Sequence, residues 1–193
     1  MRNESIRTIV EVALVIALAA VLNMLKIWHM PQGGTVSFVL LPLIVLSLRR
    51  GLYVGLLAGA LYGVVDFFID PYPPVHWIQY ALDYPVAYGL VGLAGAFAPV
   101  WRKMVDEGKA LAAGASAILP GTVLAVIGRY VAHVISGVVF FGEYAPEGQP
   151  VLLYSMLYNL YVPVSGVLAF VAAMAILPVL ENVFPARVRG ATT

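Results

Sequence analysis

The sequence predicts an all-α integral membrane protein, a bundle of six helices that crosses a bilayer. Two observations carry this expectation. Hydrophobic residues make up 62% of the chain and charged residues only 11%, against roughly 25% charged in ordinary soluble domains. A surface so poor in charge has lipid as its solvent. The apolar residues also fall into six runs, at 6–25, 36–48, 51–70, 75–100, 111–141 and 151–180. A helix needs about 20 such residues to cross roughly 30 Å of hydrocarbon.

The first run follows Arg2 and Arg7, as a signal peptide would, but it is long and no small-residue cleavage site follows it. It reads as a retained span. Residues 36–48 give only about 20 Å of helix, so the second element is short, steeply placed, or extended by the preceding loop. Residues 111–141 are too many for one straight crossing. Pro120-Gly121 either bends that helix or marks its true start. The inner connection from Trp101 to Lys109 is polar, and the last run continues to residue 180. No linker, repeat or low-complexity tract divides residues 1–193, which predicts a single transmembrane domain.

Charge orients the bundle. With six crossings, Arg2, Arg7, Arg49, Arg50, Arg102, Lys103, Lys109, Arg187 and Arg189 share one side. Lys26 lies on the other, and Arg129 within a span. This asymmetry is the positive-inside pattern, so both termini are expected in the cytoplasm. The outer loops are Lys26 to Thr35, Asp70 to Pro74 and Gly142 to Pro150, rich in Pro, Gly and Tyr. The net charge of +1 and the absence of a basic tail give no sign of a nucleic-acid partner. With no cysteine, disulfides, thiolate metal sites and cysteine nucleophiles are excluded.

Ionisable groups inside spans are expensive and mark function. Asp83, His133 and Asn159 each lie about eight residues from the outer end of their runs, which places a carboxylate, an imidazole and an amide at one depth. Arg129, His133, Gly137 and Phe141 recur every four residues and so share one helix face. Tyr80, Tyr84 and Tyr88 repeat likewise beside Asp83, and the last run adds Tyr154, Tyr158 and Tyr161. Tyr72, Trp77 and Tyr144 are assigned to an interfacial aromatic belt, and Tyr84 and Tyr154 to a pocket. An aromatic-walled cavity with one carboxylate suits a flat organic cation. Asp83 and Asn159 would bond its edge, and Arg129 or His133 would balance Asp83 in the empty site. The alternative is a polar network that only fixes helix packing.

Hydrolysis is disfavoured, since no serine has a matched base and no carboxylates pair at catalytic spacing. His29, His76 and His133 are too scattered for a metal site, and neither a metal nor a cofactor is expected. Proton coupling through Asp83 and His133, or through Asp66 and Glu11, stays open. Glu11, near the inner end of the first run, is read as snorkelling to the interface.

Leu48-Arg-Arg-Gly51, Asp83-Tyr-Pro85, Arg129-Tyr-Val-Ala-His133 with Gly137, and Tyr154 followed by Tyr158-Asn159 together resemble one family. It is the ThiT family, the thiamine-specific substrate-binding subunits (S components) of energy-coupling-factor (ECF) vitamin importers. The resemblance runs from Val10 to about Pro163, and the spacing of His133, Gly137, Tyr154 and Asn159 is its specific part. It implies a six-helix bundle in a prokaryotic cell membrane, with a thiamine pocket closed by the loop after the first span. The implied pocket residues are Asp83, Tyr84, Arg129, His133, Gly137, Phe141, Tyr154 and Asn159. The family carries glutamate where Asp83 stands and tryptophan where Phe141 stands. Its lid tryptophan has only Trp28 as a neighbour here. The resemblance also implies a partner, an ECF module of a transmembrane coupling subunit and two ATPases. The chain itself has no G-x-x-x-x-G-K-[ST] loop. Ala13 and Ala17, four apart on the first span, form the small-residue face on which that module would dock. A sister S component for another flat vitamin and a stand-alone proton-coupled carrier are the alternatives.

Overall fold

The computed structural model describes residues 2–70 and 76–185. The expectations placed on Tyr72, Arg187 and Arg189 lie outside the described residues. The chain is helical almost throughout. Five stretches are long and apolar enough to cross a membrane: Glu4–Met24, Leu52–Ile69, Trp77–Asp106, Ala110–Phe140 and Val151–Val183. The first lies in helix α1 (Arg2–Met24) and the second is α3 (Leu52–Ile69).

Between them stands the short second element. Helix α2 spans Leu40–Arg50, 11 residues and about 16 Å long. Its start lies four residues later than the sequence predicts, because Thr35–Val36 are taken into a two-stranded hairpin with Trp28–His29. These strands are β1 (Trp28–His29) and β2 (Thr35–Val36). Buried side chains run along nearly all of α2, from Leu40 to Arg49. It forms the axis of the bundle, which explains how so short a helix serves as a sixth rod.

Trp77–Asp106, the fourth stretch of the bundle once α2 is counted as the second, is built in pieces: α4 (Trp77–Ala81), a π-helical segment (Leu82–Val86), α5 (Ala87–Val91), a 3-10 segment (Gly92–Phe97) and α6 (Ala98–Asp106). The polar connection expected from Trp101 is therefore helical as far as Asp106. Pro85 has no N–H to give, and the ladder re-forms with the Ala87 N–H reaching back five residues to Leu82. Helix α7 spans Ile118–Phe140 after a 3-10 turn at Ala110–Gly114. Pro120 thus falls in the first turn, where a missing N–H costs nothing, and the 111–141 run crosses once.

The last run is broken. Helix α8 (Val151–Tyr158) ends at Asn159, and α9 (Tyr161–Val183) follows after Leu160. Pro163 accounts for the break: it cannot donate to the Asn159 carbonyl four residues back, which accepts from Val162 N–H at 3.0 Å instead.

Packing is inverted relative to a soluble bundle. On α7, Val123, Ile127, Val131 and Ile135 are exposed on one face, while Ala125, Arg129, His133, Ser136 and Gly137 are buried on the other. Exposed apolar residues are the surface that lipid covers. Helix α3 meets the fourth stretch through Gly55, Gly59 and Gly63, one per turn. A Cβ on Gly59 would lie 2.1 Å from the Tyr88 carbonyl oxygen, and one on Gly63 2.4 Å from that of Tyr84. The two backbones touch, the close approach that small residues allow in lipid.

At the end of the bundle away from the hairpin, α1, α2 and α9 are tied by charge. The Arg49 guanidinium donates to Glu11 at 2.8 Å, to Glu181, and to the Phe184 carbonyl at 2.8 Å. Arg50 donates to Glu11 as well, at 2.6 Å. Glu11 is therefore an ion-pair partner rather than the snorkelling residue expected from its position. The Glu11–Asp66 proton relay fails too: Asp66 bonds Asn23, 12 residues and about 18 Å further along α1 than Glu11. Because Arg49 and Glu181 are both buried, Arg49→Ala should lower the stability of the purified protein by roughly 3–5 kcal/mol. Thermal unfolding in detergent measures this.

Candidate functional site

At the hairpin end, α3, α4, α5, α7, α8 and α9 surround a cavity of about 190 Å³. Asp83, Tyr84, Arg129, His133, Gly137, Phe141, Tyr154 and Asn159 all line it. Asp83 and Tyr84 sit on the distorted, π-helical segment, and across it Tyr80 and Tyr84 stay stacked with centroids 5.8 Å apart. Pro85 is the sequence signal for that distortion.

Asp83 is the hub. It faces His133 Nδ1 at 3.0 Å through one oxygen, and it accepts from Ser136 Oγ at 2.8 Å and Gln79 Nε2 at 3.2 Å through the other. Arg129 Nε donates to His133 Nε2 at 3.2 Å. That nitrogen is therefore an acceptor, so Nδ1 carries the ring proton and donates it to Asp83. Arg129 itself lies over the Tyr88 ring, 4.2 Å from the centroid. Of the two candidates for balancing Asp83, His133 makes the contact. The Arg129 Nη1 is buried without a hydrogen-bond partner among the described residues, and it is a donor left for whatever enters.

The other expected residues have distinct roles. Tyr84 packs edge-on against Phe67 with centroids 5.2 Å apart. Tyr154 lies 5.8 Å from Tyr158. Phe141 caps α7 beside Tyr144, 6.1 Å away. Gly137 is less a gap than a contact: a Cβ there would fall 2.2 Å from Ser155 Oγ, so glycine lets α8 close on α7. Asn159 donates its amide nitrogen to the carbonyls of Ser155 at 2.9 Å and His133 at 3.4 Å. Its side-chain carbonyl oxygen makes no hydrogen bond among the described residues, which leaves an acceptor. Trp77 and Tyr144, expected in an interfacial belt, are exposed.

The hairpin forms the roof. Gly33 and Gly34 have φ of 84° and 87°, where a side chain would be strained. A Cβ on Gly34 would also strike the Tyr161 ring at 2.6 Å, so the loop rests directly on that ring. The Tyr158 hydroxyl accepts from Gln32 N–H at 2.8 Å and donates to the Gly33 carbonyl at 3.0 Å. Trp28 is 65% exposed and does not line the cavity, whereas His29 does. Sequence reasoning did not assign Tyr158, Tyr161, Ser136, Gln79 or Asn23 to the site. Asn23, the amide within the first apolar run, was a usable signal. The rest depend on contacts across the chain.

Comparison with known proteins decides the family. Residues 9–185 match the family model described as "Thiamine transporter protein". The chain belongs to the thiamine transporter family. Within it, the chain is 39% identical over 163 residues to a protein of Bacillus subtilis (strain 168) named "Thiamine transporter ThiT", with 82% of this chain and 83% of that one covered. A protein of the same name from Lacticaseibacillus paracasei is 31% identical over 161 residues, covering 82% and 80%. The fold is that of a solved structure of ThiT from Listeria monocytogenes, with a TM-score of 0.77 over 95% of this chain and 97% of that one at 24% identity. These relatives bear transporter names and the family is not enzymatic, which agrees with the lack of catalytic pairings in the sequence. A multi-pass membrane bundle of this family is what the apolar spans describe.

Proposed function

We propose that the chain binds thiamine with high affinity in the roofed cavity and acts as the S component of an ECF importer. The carrying observation is Asp83. It is a carboxylate oriented by His133, Ser136 and Gln79, set among aromatic rings under a closed hairpin. An aminopyrimidine donates to such a carboxylate and accepts from neighbouring donors. Tyr84, Phe141 and Tyr154 supply flat apolar surface for the rings, and the carbonyl of Asn159 accepts a further N–H. Two relatives over 30% identical carry the name thiamine transporter, which supports this choice of ligand.

The cavity end faces outward and both termini lie in the cytoplasm in this reading, from the distribution of basic residues. Energy comes from the partner module, since the sequence has no phosphate-binding loop of its own. Ala13 and Ala17 are exposed on the peripheral helix α1 and leave a shallow groove for a coupling-subunit helix. Ala13→Trp fills that groove far from the cavity. It should keep thiamine binding in detergent and abolish ATP-driven uptake in cells that co-express the coupling module. Wild-type uptake by this variant would count against the docking face. The Asp83–His133 pair favours one second reading, a proton-coupled carrier. Robust uptake with no coupling module present would establish that reading instead.

A further inference from the structure

We propose that Asp66 is the counter-charge for a quaternary ring nitrogen of the ligand, separate from the hydrogen-bonding end held by Asp83. The inference rests on the thiamine reading above, because thiamine joins an aminopyrimidine to a thiazolium whose charge is fixed. It starts from a charge balance. Three carboxylates, Asp66, Asp70 and Asp83, line the cavity with one guanidinium, Arg129, and Asp70 is already answered by Lys26 at 2.6 Å. His133 is neutral in the bonding pattern, since Nε2 accepts from Arg129. The lining and its Lys26 partner therefore carry one net negative charge, in a bundle where uncompensated charge is costly. A ligand with one fixed positive charge restores neutrality.

Asp83 and Asp66 are held differently. Asp83 keeps donors on both oxygens and suits a ligand that exchanges hydrogen bonds. Asp66, 6% exposed, accepts from Asn23 Nδ2 and Tyr62 Oη on one oxygen, each at 2.8 Å. Both donors are neutral, as is the Tyr88 hydroxyl that also bonds Asp66, and no ion pair to Asp66 forms among the described residues. Arg129 is committed to the Tyr88 face and to His133. A quaternary nitrogen has no N–H, so it needs negative charge rather than an acceptor. A carboxylate oriented by neutral donors, which Arg129 reaches only through space and not as an ion pair, supplies that. Asn23 in turn accepts from Thr35 Oγ1 of the roof at 3.3 Å, which places the charge beneath the hairpin.

The test compares thiamine with 3-deazathiamine, in which an uncharged thiophene replaces the thiazolium and the aminopyrimidine is kept. Both are titrated calorimetrically into detergent-purified protein. Wild type should prefer thiamine, and Asp66→Asn should weaken thiamine binding by on the order of 10- to 100-fold while changing the analogue less than threefold. Asp83→Asn, acting on the shared aminopyrimidine, should weaken both alike. Equal losses for the two ligands in Asp66→Asn would overturn the proposal and leave Asp66 as a structural tie. If that variant does not fold, wild type decides: equal affinity for the charged and uncharged ligands overturns the proposal just as well. Wild type binding neither ligand would instead sink the thiamine reading itself.

Discussion

Asp83→Asn should weaken thiamine binding roughly 10- to 150-fold without unfolding the bundle. The lower figure corresponds to losing one hydrogen bond to a charged group, about 1.5 kcal/mol, and the upper to about 3 kcal/mol. The asparagine keeps one acceptor oxygen but presents an N–H₂ to a position now filled by an acceptor. It would face either Ser136 and Gln79 or His133, so the orienting donors lose their partner as well. Asp83→Glu should cost little, because the charge survives and relatives of the family are expected to carry the longer acid there. Calorimetric titration of both variants measures the difference. Binding by Asp83→Asn within twofold of wild type would place the ligand elsewhere.

Gly59→Ala should have the largest effect on folding for the smallest change in mass. Its methyl would stand 2.1 Å from the Tyr88 carbonyl oxygen and 2.9 Å from the carbonyl carbon, and neither can rotate away. Helix α3 and the fourth stretch would have to part. Overpacking usually costs about 1–3 kcal/mol, and this contact is with backbone, so the upper end or beyond is expected. Separation would also displace Tyr88 and Arg129 above it, so ligand affinity should fall with stability. Gly89→Ala is the control on the same interface: its nearest neighbour would be the Ala60 methyl at 3.5 Å, an ordinary contact. Thermal unfolding of the two variants, with and without thiamine, separates them. Equal melting points would mean that this helix pair is not packed as described.

Much of the site was legible in the sequence because polar groups are conspicuous in apolar runs. Asp83, Arg129, His133 and Asn159 were found that way, and the four-residue repeat on α7 put three of the site's side chains on one face. Local backbone chemistry was only partly legible. Pro120 allowed two outcomes, and only the placement of Ile118 as the first helical residue chose between them. Pro85 and Pro163 carried the signals for the π-helical segment and for the break at Asn159, but a proline says that a ladder is interrupted, not how it re-forms. Contacts between distant elements were not legible. Tyr158 and Tyr161 carry no assigned role in the sequence and become supports of the hairpin only when residues 32–34 fold over them. The glycine repeat at 55, 59 and 63 was present at helical spacing, yet its meaning depends on which helix lies opposite. Glu11 was misjudged for the same reason: its partners Arg49 and Arg50 are remote in sequence and adjacent in space.

The central claim is that the roofed cavity takes thiamine. The direct measurement is a calorimetric titration of the purified protein, first stripped of any retained ligand, with thiamine, riboflavin and biotin in turn. Thiamine should bind one-to-one in the nanomolar range, with riboflavin and biotin giving no heat at the same concentrations. Nanomolar binding of riboflavin or biotin, with none of thiamine, would contradict the account and make the chain a receptor for a different vitamin.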